Sequence, residues 1–258
     1  VSLFEQVYRG ISSVSVNLPG EGDVLINSGS EPDQVRCTID DWDGGDPYAL
    51  RVEQRDDRLM ISADRIWGRG SSSDVFLEIP AGLDVEVTTQ SGDVVINADL
   101  GSSRITTGSG DIAVGTARAL SAKSGSGDIA AGTVTEAAEV STGSGDIVVR
   151  EATGPVTAKS GSGDVQLARL KAATLSVSTG SGDISAASTT GSVDLRSASG
   201  SIEVGVADGL PAWLDLNTVN GDIRIDLDAS QQPEDGQPYV TVRCRTASGE
   251  IDIHRARD

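Results

Sequence analysis

The sequence predicts an all-β fold, a single-chain parallel β-solenoid with repeats of about 18 residues and β-rich N- and C-terminal caps. Three observations predict it. A Gly-Asp phrase followed by a β-branched residue recurs with its acid at Asp93, Asp111, Asp128, Asp146, Asp164 and Asp183, and Ser201 takes the next equivalent place, at steps of 18, 17, 18, 18, 19 and 18 residues. On either side of the phrase, apolar residues alternate with polar ones. One residue before each Gly-rich stretch stands a Thr or Ser: Thr89, Thr107, Ser124, Thr142, Ser160, Thr179, Ser197, Thr218 and Thr246.

Each repeat reads as strand, Gly-rich corner, strand, second turn. After the acid come Val94, Ile112, Ile129, Ile147, Val165, Ile184 and Ile202, and two residues further on Ile96, Val114, Ala131, Val149, Leu167, Ala186 and Val204. This parity places one face inside. Residues of the other parity, such as Thr106, Lys123, Ser141 and Lys159, face water. The hydroxyl column shares the inward parity, where it can bond nearby backbone. Second turns are marked by Thr153-Gly154-Pro155 and Thr189-Thr190-Gly191. A two-strand unit cannot bury its apolar face alone, whereas stacked units pair at about 4.8 Å and line up their Val and Ile rows. At roughly 1.5–3 kcal/mol per buried aliphatic side chain, stacking offsets much of the ordering entropy.

The corner glycines are expected to supply positive φ or a close backbone approach, with Ser and Asp accepting bonds from turn amides. The preference of parallel crossovers points to a right-handed coil. Lys123, Lys159 and Arg196 recur in alternate copies only. That pattern fits either a coil turn holding two repeats or one-repeat turns that separate like charges.

The ends depart from the period. Later copies stand at Asp222 and Glu250, and a looser early one at Asp23. Phe4, Tyr8, Trp42, Tyr48, Trp67 and Phe76 fall in the first 80 residues, with Trp213 and Tyr239 near the other end, as plugs for an open solenoid. The organisation expected is one continuous domain: residues 1–80 a β-rich cap or irregular first rungs, 81–206 the regular solenoid, and 207–258 the last rungs with a Pro-rich insertion at 231–238 and a closing cap.

Composition narrows the function. The chain has 258 residues, of which 37% are hydrophobic and 3% aromatic, with 31 Gly and a formal charge of −19. A core of Val, Ile, Leu and Ala suits thin stacked strands. The acidic field repels phosphate backbones and anionic headgroups, so nucleic acid is not an expected partner. No apolar run approaches the roughly 18 residues of a membrane span, so direct membrane insertion is not expected, and the first residues lack the basic-then-apolar order of a signal peptide. Cys37 and Cys244, each in an alternating run, read as buried free thiols that leave the compartment open.

The phrases IPAGLDVEVTTQSGDVVI, TGSGDI, KSGSGD, AWLDLNTVNGDIRIDLD and VTVRCRTASGEIDI together resemble the bacterial putative-adhesin family of β-strand repeats over nearly the whole chain. The resemblance implies a β-helical module associated with the cell envelope or its stress responses, with no catalytic residues to carry over. A cytoplasmic location is the alternative.

Chemistry is sparse. His254, the one histidine, reads as a solvated tail residue, and two Cys with one His cannot assemble a zinc site or a Cys-His pair. No Gly-x-Ser-x-Gly elbow occurs, and no helix follows the Gly-rich corners to bind phosphate. The sharper candidate is the acidic ladder Asp93, Asp111, Asp128, Asp146, Asp164 and Asp183. Stacked about 4.8 Å apart, neighbouring carboxylates repel by roughly 0.9 kcal/mol even in water. Turn amides and solvent are the expected counterweight, and calcium the alternative. A second cluster, Asp40, Asp41, Asp43 and Asp46, lacks the closing Glu of an EF-hand and reads as a hairpin loop. The expected function is a non-enzymatic scaffold or interaction module without a cofactor, whose partner is a protein or envelope component. The alternative is a cation-dependent carbohydrate-binding or carbohydrate-active β-helix.

Overall fold

In a computed structural model, residues 2–41, 50–63, 73–171, 174–228 and 239–256 are described, and every regular element among them is a β-strand. The chain divides into two compact units, residues 1–130 and 131–258. Both are stretches of parallel β-solenoid.

In the first unit, β8 (Leu83–Thr89) leads through the corner at Asp93 into β9 (Val94–Thr107), and β10 (Ile112–Ser124) repeats that course. β10 lies parallel to β9 with Ile112 beside Val94 and Ala122 beside Ile105. Neighbouring rungs are therefore one repeat apart, and the two-repeat turn is ruled out. The inward residues Val94, Ile96, Ile105, Ile112 and Ala122 are buried.

Outward from β8 and β9, stacking leaves sequence order. β2 (Ser13–Leu18) and β3 (Val24–Ser28) lie between them and an outer rung made of β6 (Arg58–Ala63) and β7 (Ser73–Ile79). β4 (Gln34–Asp41) pairs antiparallel with β7, β1 (Ser2–Arg9) with β4, and β5 (Leu50–Arg55) with β6. These antiparallel strands carry paired charges, Arg36 with Glu5 and Glu78, and Glu53 with Arg51 and Arg55. Charged side chains of this kind blunt an edge.

β11 (Ile129–Val134) straddles the division between the units, and successive strands of the second unit then alternate between two walls. β12 (Ala138–Thr142), β14 (Val156–Ser160), β16 (Thr174–Thr179) and β18 (Ser192–Ser197) form one parallel wall. β13 (Ile147–Ala152), β15 (Val165–Leu170), β17 (Ile184–Thr189) and β19 (Ile202–Val206) form the other. Val140, Ala158, Val177 and Leu195 make one buried row, and Val149, Leu167, Ala186 and Val204 the other.

Here too the last copies are transposed. β22 (Val240–Ser248) and β23 (Ile251–Arg255) pair with β18 and β19, while β20 (Ala212–Asn220) and β21 (Ile223–Asp226) stack outside them. The Glu250 copy thus precedes the Asp222 copy in space, the reverse of their order in the chain. Burial explains the advantage: Val242, Cys244, Ile251 and Ile253 are fully buried, whereas Ile223 and Ile225 are 43% and 54% exposed.

The aromatic plugs are corrected in part. Tyr8 is buried, but Phe76, Trp213 and Tyr239 are exposed, and Trp42, Tyr48 and Trp67 lie outside the described residues, as does the Pro-rich stretch 231–238. Phe76, Trp213 and Tyr239 therefore do not act as plugs.

Candidate functional site: the corner column and its acidic groove

The corners are built from three interactions that recur along each unit. The first is the hydroxyl column. Ser160 Oγ accepts the Gly163 N–H at 2.8 Å and donates to the Gly145 carbonyl of the preceding rung at 3.0 Å. Thr179 does the same with Gly182 and Gly163, and Ser124 with Gly127 and Gly110. Each of these hydroxyls thus closes its own turn and ties it to the preceding one.

The second is close backbone contact. A Cβ placed on Gly163 would stand 1.9 Å from the Gly145 carbonyl oxygen. Among the described residues, positive φ occurs at Gly10, Asp56, Gly82 and Gly209 and at none of the Gly-Ser-Gly-Asp corners. The corner glycines therefore serve the close approach of stacked turns, and the positive-φ alternative falls away.

The third is the acidic ladder. In the first unit, Asp93 Oδ1 accepts the Asp111 N–H and Asp111 Oδ1 the Asp128 N–H, both at 2.8 Å. In the second, Asp146, Asp164 and Asp183 likewise receive the amides of Asp164, Asp183 and Ser201, at 2.8, 2.8 and 2.7 Å. Charge-assisted bonds of this kind counter the repulsion between neighbouring acids. The first-unit ladder also extends outward, from Asp93 N–H to Asp23 and from Asp23 N–H to Asp74. Asp74 was not legible as a ladder member because Ser73, not Gly, precedes it.

In the second unit the ladder borders an open groove of about 450 Å3. Asp164, Asp183, Ser201 and Glu250 supply its corner side; Gln166, Ser185, Glu203 and Asp252, in register on β15, β17, β19 and β23, supply the other. Glu203 and Asp252 were missed as site residues, although their outward parity was the available signal. His254 is not a loose tail residue: it sits in β23 with Nε2 3.0 Å from Glu203 Oε1 and Nδ1 2.7 Å from the Arg255 carbonyl oxygen. Arg224 pairs with Glu250 at 3.6 Å.

Cys37 and Cys244 are free, buried thiols. Burial pushes each up to about 12 from an ordinary 9.0. Of the second acidic cluster, Asp40 and Asp41 end β4, and Asp43 and Asp46 lie outside the described residues. Among the described residues, no three His, Cys, Asp or Glu side chains converge on a position that could hold a metal ion. No described helix is long and apolar enough to cross a membrane.

The fold and its corners define a parallel β-solenoid repeat protein whose repeated motif is architectural. Over residues 23–254 the chain matches the Toastrack DUF4097 family, and it belongs to that family. Among solved structures it is similar to a putative adhesin from Bacteroides fragilis, at 14% identity and TM-score 0.47, covering 98% of this chain and 97% of that one. It is also similar to a putative adhesin from Parabacteroides merdae, at 8% identity and TM-score 0.48, covering 97% and 95%. A protein titled a putative lipid binding protein, from Parabacteroides distasonis, aligns at 11% identity and TM-score 0.46, covering 97% and 96%. No curated protein matches the chain.

Proposed function

We propose that this protein is a non-enzymatic scaffold, an adhesin-like interaction module of the cell envelope that presents the outer faces of its rungs to a protein or envelope component. One observation supports this above all. The ladder acids Asp146, Asp164 and Asp183 are spent on the frame, each holding the amide of the next rung, while the outward row passes from an amide and a hydroxyl, Gln166 and Ser185, to the two carboxylates Glu203 and Asp252. A constant frame carrying a variable exposed row is how repeat proteins build recognition surfaces.

The test is binding of the purified chain to envelope preparations from its native host, comparing wild type with a Glu203→Lys, Asp252→Lys variant that melts at the same temperature. Loss of binding in the variant supports the reading. Equal binding, or cleavage of an acidic polysaccharide by the wild type, overturns it. The groove's acidity favours a second reading, cation-dependent carbohydrate binding. It is tested by melting with calcium and then chelator: the scaffold shows no shift, and a rise of several degrees with calcium promotes the second reading.

A further inference from the structure

The rung formed by β20 and β21 is unlike any other in the second unit. Among the described residues, β20 pairs only with β22 and β21 only with β23, so both strands keep one open edge. The same rung exposes Trp213 by 52%, Val219 by 73%, Ile223 by 43% and Ile225 by 54%. An unpaired edge with adjoining apolar surface is a template for strand addition.

The residue pattern of this edge selects its occupant. When an edge pairs antiparallel with its own copy about a two-fold axis, inward residues stay inward only if the axis passes through a residue. An axis through Leu216 on β20 sets Trp213 opposite Val219 of the second copy, joining the two exposed apolar residues of the outer face. It sets Asp215, already held by Arg243 at 3.0 Å and Arg245 at 3.5 Å, opposite a neutral Asn217. On β21 an axis through Ile225 sets Arg224 opposite Asp226 of the second copy, twice over. Leu216 and Ile225 stand equally far, four residues each, from the corner at Asn220 and Gly221, so one axis serves both strands. Within β20 and β21 no like charges meet; just outside β21, Asp222 faces Asp228 of the second copy, a contact at the solvated corner that salt screens.

We infer that the β20–β21 rung is a homodimer surface, closed by antiparallel pairing of β20 with β20 and of β21 with β21 of a second copy. The contact is separate from whatever the sides of the rungs bind. With −19 on each chain, association strengthens as salt screens the long-range repulsion.

Sedimentation equilibrium of the full chain at moderate salt tests it. The wild type is expected to show a monomer–dimer equilibrium with no larger species. Arg224→Asp and Asp226→Arg, each placing like charges opposite one another, weaken it at least tenfold. The double variant Arg224→Asp, Asp226→Arg restores it. Glu250→Gln removes only the intrachain partner of Arg224 and keeps the dimer, and unchanged far-ultraviolet spectra show that the variants fold. A wild type that stays monomeric at the highest concentration reached overturns the inference, as do open-ended oligomers or single variants that dimerise like wild type. So does a double variant that fails to recover.

Discussion

A buried hydroxyl at a corner serves two rungs at once, and its removal orphans a donor and an acceptor together. Thr179 Oγ1 lies 3.1 Å from both the Gly182 nitrogen and the Gly163 carbonyl oxygen. Thr179→Val, nearly unchanged in volume, is expected to cost about 2 kcal/mol in urea denaturation, and Thr179→Ser clearly less. Gly163→Ala tests backbone approach: its new Cβ meets the Gly145 carbonyl at 1.9 Å, so the rungs must part. A loss of about 2 kcal/mol is expected, and a neutral result would show that the column has slack. At Asp164, Asn retains an acceptor for the Asp183 amide and Ala does not, so Ala should lose about 1 kcal/mol more than Asn. The hydroxyl column was legible because its parity placed it inside. That it bridges rungs was not, because the partner carbonyl lies one rung away and its distance depends on stacking.

Among the elements, β22 and β23 carry weight beyond their own length. They stand between β18 and β20 and between β19 and β21. Deleting residues 239–258 should leave β20 and β21 without a partner. Hydrogen exchange would then show fast exchange over residues 212–226 and retained protection over β13 to β17. Were residues 212–226 to stay protected, they would have paired directly with β18 and β19. The existence of these strands was plain from the alternation Val240, Val242, Cys244 and Ile251, Ile253. Their place in the stack was not. Both late copies carry the same inward pattern, so either could pair with β18 and β19, and the choice rests on which one tolerates an open side. The transposition of β2 and β3 in the first unit is of the same kind.

For the whole molecule, stability depends on groups that folding keeps neutral. Tyr8, raised from 10.0 to about 12 by burial and by Cys37, joins the two buried thiols, raised from 9.0 to about 12. In each, the unfolded chain ionises first, so their contribution is complete below about pH 9 and is lost as pH rises towards 12. Thermal melts should fall through that window, and Cys37→Ala with Cys244→Ala should flatten the fall. The sequence by itself determined the rung: a period of about 18 residues, an inward parity, a hydroxyl before each corner and an acid after it are all local, and stacking is the one arrangement that buries them together. Only the tertiary structure decided which rung neighbours which at the ends, why the corner glycines are needed, and which apolar residues stay exposed. Those depend on the unpaired edges a finite stack must leave, and a repeat pattern that reads alike in every copy carries no information about where the stack stops.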